Sequence, residues 1–70
     1  DQNYKSKILE WSQTKKKEIK FINSTQKGPD HKKEYLIELF IDGRKISESW
    51  ANTIKSAEQK SAEIAIKIVS

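Results

Sequence analysis

The run EYLIELFIDGRKISESW, residues 34–50, constrains the fold most strongly. Over 34–42, Tyr35, Ile37, Leu39 and Ile41 fall on one side, and Leu36, Glu38 and Phe40 on the other. Successive side chains of an extended chain point to opposite faces, so this pattern predicts a strand with one wholly apolar face. Asp42-Gly43 follows directly. The two central positions of the tightest hairpin turns need positive φ, which Asp and Gly tolerate, so the dipeptide predicts a hairpin. Residues 44–50 then return as the next strand, with Ile46, Glu48 and Trp50 on one face and Ser47 and Ser49 on the other. The two serines leave room for a helix to approach closely.

An apolar sheet face needs a cover, and the flanking sequence supplies one at each end. Residues 4–14 place Tyr4, Ile8 and Trp11 at i, i+4 and i+7, one stripe of a helix with Trp11 in the core and Asn3 as N-cap. Lys15, Lys16 and Lys17 read as a basic connector. Residues 18–24 form a further strand, with Ile19 and Phe21 on one face and Ile22 on the other, and 25–33 form a turn. From Thr53 the period becomes helical, with Ile54, Ala57, Ser61, Ile64, Ala65 and Ile68 as its apolar stripe. Thr53 is the expected N-cap, its hydroxyl accepting the amide of Ser56. The resulting order, α-β-β-β-α, predicts an α+β two-layer sandwich: a three-stranded antiparallel sheet with both helices on one face.

The chain has 70 residues, so residues 1–70 are expected to form one domain with a thin core and a stability on the order of 5 kcal/mol. It has no cysteine to staple the fold and one histidine, with no metal-ligand spacing around it, so no cofactor is expected in this domain. No apolar run approaches the roughly 20 residues that span a bilayer, so no membrane partner is expected. The opening DQNYKSK is polar throughout, unlike a signal peptide, and no Met occurs. The chain is expected to be a piece of a longer cytoplasmic protein, with DQN as the remnant of a linker. A formal net charge of +4 favours an anionic partner.

One stretch is left over by the fold argument. KGPDHKKEY, residues 27–35, concentrates the only proline, the only histidine and one of the two glycines just before the clearest strand. In this context the chain resembles double-stranded RNA-binding domains, in particular the one at the C-terminus of bacterial ribonuclease III. The resemblance covers nearly the whole chain. It rests on YKSKILEW, GPDHKKEY, IELFIDGRKI and TIKSAEQKSAE in that order. It implies a module that grips duplex RNA by shape, 2′-hydroxyls and phosphates, with little sequence preference, over roughly 16 bp. The loop of Gly28, Pro29, Asp30 and His31 is then expected to enter one minor groove. Pro29 and Gly28 set its shape, and His31 either bonds a 2′-hydroxyl or anchors the loop internally. Ser6 and Glu10 on the first helix are implied to face the next minor groove. Thr53 and Lys55, at the start of the last helix, are implied to meet the phosphates between. At Leu9 the family usually carries Gln or Asn, and of the family's cations at the last helix only Lys55 is kept.

The resemblance also implies a parent endoribonuclease that cuts duplex RNA with Mg²⁺ and forms a homodimer through its catalytic part. The family's acidic catalytic signature has no counterpart here, so this chain is expected to be a monomer that cleaves nothing. Plainer readings exist for each feature: GPDH as a rigid turn, the lysine run as a solvated connector, and Leu36 and Phe40 as scattered exposure. The rival function is a protein-interaction module of the same fold, using Leu36, Phe40 and Trp50, joined by Ile22, on the outer sheet face. A ribosome-associated basic domain would share the charge but leave GPDH unexplained.

Overall fold

The computed structural model describes residues 3–70; Asp1 and Gln2, and with them most of the expected linker remnant, lie outside the described residues. Helix α1 spans Tyr4–Lys15. It begins at Asn3, whose side chain accepts the N–H of Ser6 at 3.1 Å, satisfying one of the donors that a helix start leaves unpaired. It ends in a Schellman arrangement: Lys16 adopts the left-handed conformation (φ 57, ψ 46). Lys16 N–H donates to Gln13 O at 3.3 Å and Lys17 N–H to Ser12 O at 2.7 Å. The basic connector is therefore the helix stop itself.

Strands β1 (Ile19–Lys27), β2 (Glu34–Ile41) and β3 (Arg44–Ala51) form one antiparallel sheet in the order β1-β2-β3. Helix α2 (Ile54–Val69) closes the chain. The register pairs Ile41 with Arg44, leaving Asp42-Gly43 as a two-residue turn with φ 51 and 81. Asp42 also bonds outward. Its N–H donates to Glu18 O at 2.9 Å, and its Oδ1 accepts Glu18 N–H at 2.8 Å, so the hairpin tip is tied to the entry of β1.

Three sequence expectations are corrected. Strand β1 runs on to Lys27 rather than stopping at 24, because a bulge at Ser24 lets pairing resume with Thr25 opposite Leu36. The loop shrinks to 28–33. A second bulge, at Ile46, turns that residue from the outer face toward the core, where it packs at the edge of the cluster around Ile8, Leu39 and Ile41. The buried stripe of α2 is Ala57, Ser61, Ala62 and Ala65, whereas Ile54, Ile64 and Ile68 are exposed. Small side chains win the sheet-facing positions because the two layers pack closely.

The core has two parts. Ile8, Leu39, Ile41, Ala62 and Ala65 form one, with Trp11 half-buried at its edge; Ile37, Ala51 and Ala57 form the other, and Phe21 packs against both. Ser47 Oγ donates to Ser61 O at 2.8 Å, and Ser61 Oγ to Ile37 O at 3.0 Å, so the buried hydroxyls beneath α2 are satisfied. Both helices lie on this inner face. Leu36, Glu38, Phe40, Glu48 and Trp50 share the other.

Candidate nucleic-acid interface

The 28–33 loop owes its shape to its backbone. Gly28 has φ +94, and a Cβ there would run into the carbonyl oxygen of Lys32. Glycine is therefore required twice over, by conformation and by space. Pro29 (φ −71) leads into a short 3₁₀ turn over Asp30–Lys32, closed by Lys32 N–H donating to Pro29 O at 2.8 Å. His31 is exposed and makes no side-chain hydrogen bond among the described residues. Asp30 pairs with Lys33 at 3.6 Å, while Lys32 has no ion pair among the described residues. A cleft runs from Asp30, His31 and Lys32 past Tyr35 to Asn52, the residue just before the cap of α2.

The start of α2 is built by its cap: Thr53 Oγ1 accepts Ser56 N–H at 3.0 Å. The free amides and the positive end of the helix dipole lie there, beside Lys55, whose ammonium also has no ion pair among the described residues. A lysine is unfavourable to the helix at this end, and an anion bound there would relieve it.

A second cleft, of about 640 Å³, joins the start of α2 to α1. Ser6 and Leu9 line one wall, and Ile54 and Lys55 the other. Its far end is closed by a lock the sequence did not announce. Gln59 Oε1 accepts Tyr4 N–H at 2.9 Å and Lys5 N–H at 3.3 Å. Gln59 Nε2 donates to Asn3 Oδ1 at 2.9 Å, and Lys5 pairs with Glu58 at 2.9 Å. The Ala57-Glu58-Gln59 stretch thus joins the two helices, because its Gln caps one helix from the other. Glu10 lies one turn beyond Ser6 on α1, exposed.

Four of the expected site residues line the two clefts, which meet at the start of α2. Asp30 and His31 share the first cleft with Asn52, next in the chain to Thr53, and Lys55 shares the second with Ser6; Gly28, Pro29, Thr53 and Glu10 line neither cleft. Lys32 and Asn52 also line the first cleft, and sequence reasoning did not single them out. Lys32 could have been found as the cation directly following His31; Asn52 carries no signal in the sequence. Leu9 and Ile54, 38% and 42% exposed, give the second cleft an apolar wall.

What this defines is a two-layer sandwich presenting a hairpin loop, a helix start and a helix face along one strip. The sequence model of the double-stranded RNA binding motif matches residues 4–69, and the chain belongs to that family. It is 34% identical over 68 residues to Ribonuclease 3 of Phytoplasma mali (strain AT), covering 97% of this chain and 30% of that protein. Ribonuclease 3 of Zunongwangia profunda is 35% identical over 63 residues, covering 90% and 26%. Among solved structures, a chain of Arabidopsis HYL1, studied for its implications for miRNA processing, superposes with a TM-score of 0.77 at 26% identity over 97% of both chains. The chain thus spans less than a third of the length of the two Ribonuclease 3 relatives.

Proposed function

We propose that the chain is the substrate-binding module of a ribonuclease III-like endoribonuclease, gripping duplex RNA through the strip just described. The observation that carries this reading is the adjacency of the three surfaces. A-form RNA offers a wide, shallow minor groove lined by 2′-hydroxyls, on either side of a narrow major groove edged by phosphates. A loop tip carrying His31, a cationic helix start at Lys55 and a helix face carrying Ser6 and Glu10 match that sequence of minor groove, phosphates and minor groove. Ser6, Glu10 and His31 suit 2′-hydroxyls, Lys32 and Lys55 suit phosphates, and Gly28 and Pro29 hold the loop in shape. Leu9 offers no hydrogen bond to a base edge, which is consistent with recognition by shape.

The parent would supply the cleavage, its Mg²⁺ and its dimer contact from outside these residues, and would work in the cytoplasm. Among the described residues no group of three or more His, Cys, Asp or Glu comes together to hold a metal ion. No helix among them is long and apolar enough to cross a membrane.

The deciding experiment titrates the chain with duplex RNA, duplex DNA of the same sequence and single-stranded RNA at several salt concentrations. Duplex RNA should bind clearly best. Equal binding to all three would reduce the interaction to unspecific charge attraction. Absence of binding would favour the rival, a protein-docking role for the outer sheet face.

A further inference from the structure

The outer face of the sheet carries a contact that reaches the loop. Lys27 ends β1 and Glu34 begins β2; they are register partners and bracket residues 28–33. Lys27 Nζ lies 3.7 Å from Glu34 Oε1 and 4.4 Å from the ring centroid of Trp50. Trp50 belongs to β3, on the far side of β2, so the lysine side chain bridges two strand spacings, about 10 Å of sheet. Trp50 is 36% exposed on the face that carries no helix. Its backbone carbonyl accepts from Lys60 Nζ at 3.5 Å, a tie to α2.

We propose that Trp50 is a positioning residue for the 28–33 loop, acting through Lys27. The ring holds the ammonium, the ammonium holds Glu34, and the base of the loop is closed from the side opposite the helices. An exposed ion pair alone does little to order two strand ends. A cation held over an aromatic face adds a second, directional restraint. A loop already fixed at its base loses less freedom on binding. The inference rests on the duplex-RNA reading, but its structural half can be tested without RNA.

The test compares Trp50→Leu, Trp50→Phe, Lys27→Met and the double variant Trp50→Leu/Lys27→Met with the unsubstituted chain. Two quantities are read: duplex RNA affinity at several salt concentrations, and amide exchange of Lys32, whose N–H closes the loop on Pro29. Trp50→Leu and Lys27→Met should each speed that exchange and weaken binding by about two- to fivefold, the scale of an exposed cation–π contact. Trp50→Phe, which keeps an aromatic face, should recover most of both. The double variant should be no worse than either single one, because one linkage is broken in each. Every variant should leave the salt slope unchanged, since no phosphate contact is removed.

Unaltered Lys32 exchange in Trp50→Leu would overturn the proposal, as would additive losses in the double variant. A shallower salt slope in Lys27→Met would overturn it too, by putting Lys27 on a phosphate. If the unsubstituted chain itself fails to bind duplex RNA, the functional reading falls, and the exchange rates still decide the clamp.

Discussion

Gln59 Oε1 accepts the backbone N–H of Tyr4 at 2.9 Å across a separation of 55 positions. With the neighbouring bond from Lys5 N–H, one amide on α2 caps the start of α1 and fixes how the two helices meet. Gln59→Leu should therefore cost about 1–2 kcal/mol in urea unfolding, since two helix donors lose their acceptor. Gln59→Glu should recover only part of the loss, because it gives up the Nε2 donor and sets a carboxylate oxygen against Asn3 Oδ1. A carboxylate accepts the same bonds and suits the positive helix end.

Gly28→Ala should act on both stability and recognition. Left-handed backbone costs a residue with a Cβ about 1–2 kcal/mol, and the clash with the Lys32 carbonyl adds to that. Calorimetry should show a lowered Tm, and duplex RNA affinity should fall as the loop leaves its shape. A variant with intact affinity would remove the loop from the interface.

Lys16 already occupies a left-handed position, φ 57, at the end of α1. Lys16→Gly should stabilise the fold by about 0.5–1 kcal/mol: relief of about 1–2 kcal/mol of strain, less the larger unfolded-state entropy of glycine. Chemical denaturation checks this directly.

Ile54→Lys adds a cation beside Lys55 in the proposed phosphate-facing segment. Affinity for duplex RNA should rise, and the slope of log K against log salt should steepen by about 0.9, one phosphate's worth. Helix stability should fall slightly, by about 0.3–1 kcal/mol, because the charge opposes the dipole. In the opposite direction, Lys55→Ala and His31→Ala should each weaken binding by about 1 kcal/mol or more.

On the outer face, the Lys45 ammonium is held above its ordinary pKa of 10.5, first by its hydrogen bond to Glu48 and then by the charges of Glu38 and Glu48. Because the folded value is raised, the stabilisation is complete below 10.5 and is lost as pH climbs through the folded value. The stability difference between the unsubstituted chain and Lys45→Met should be constant around neutrality and shrink only in strong alkali.

The sheet and both helices were legible because their signals are local. Residues 34–41 alternate without a fault, Asp42-Gly43 supplies the turn, and Asn3 and Thr53 cap their helices as expected. What the sequence hid was set by packing between elements. The bulges at Ser24 and Ile46 shift pairing by one residue with no local mark. The roll of α2 cannot be read from hydrophobicity, which ranks isoleucine above alanine and serine as a core residue; close approach of the layers reverses that order. At the site, GPDH stood out in the sequence. The Gln59 lock, Asn52 and the reach of Lys27 to Trp50 depend on contacts between distant positions and are invisible until the chain is folded.

The hydroxyl relay from Ser47 to the Ser61 carbonyl, and from Ser61 to the Ile37 carbonyl, has a directional meaning. A seam made of alanine alone would fit equally well at several rotations of the helix about its own axis, like a smooth rod on a smooth plank. Two pegs of fixed length permit one setting. That setting decides where Thr53 and Lys55 aim, so the compass bearing of the cationic tip is fixed by two serines buried beneath the helix.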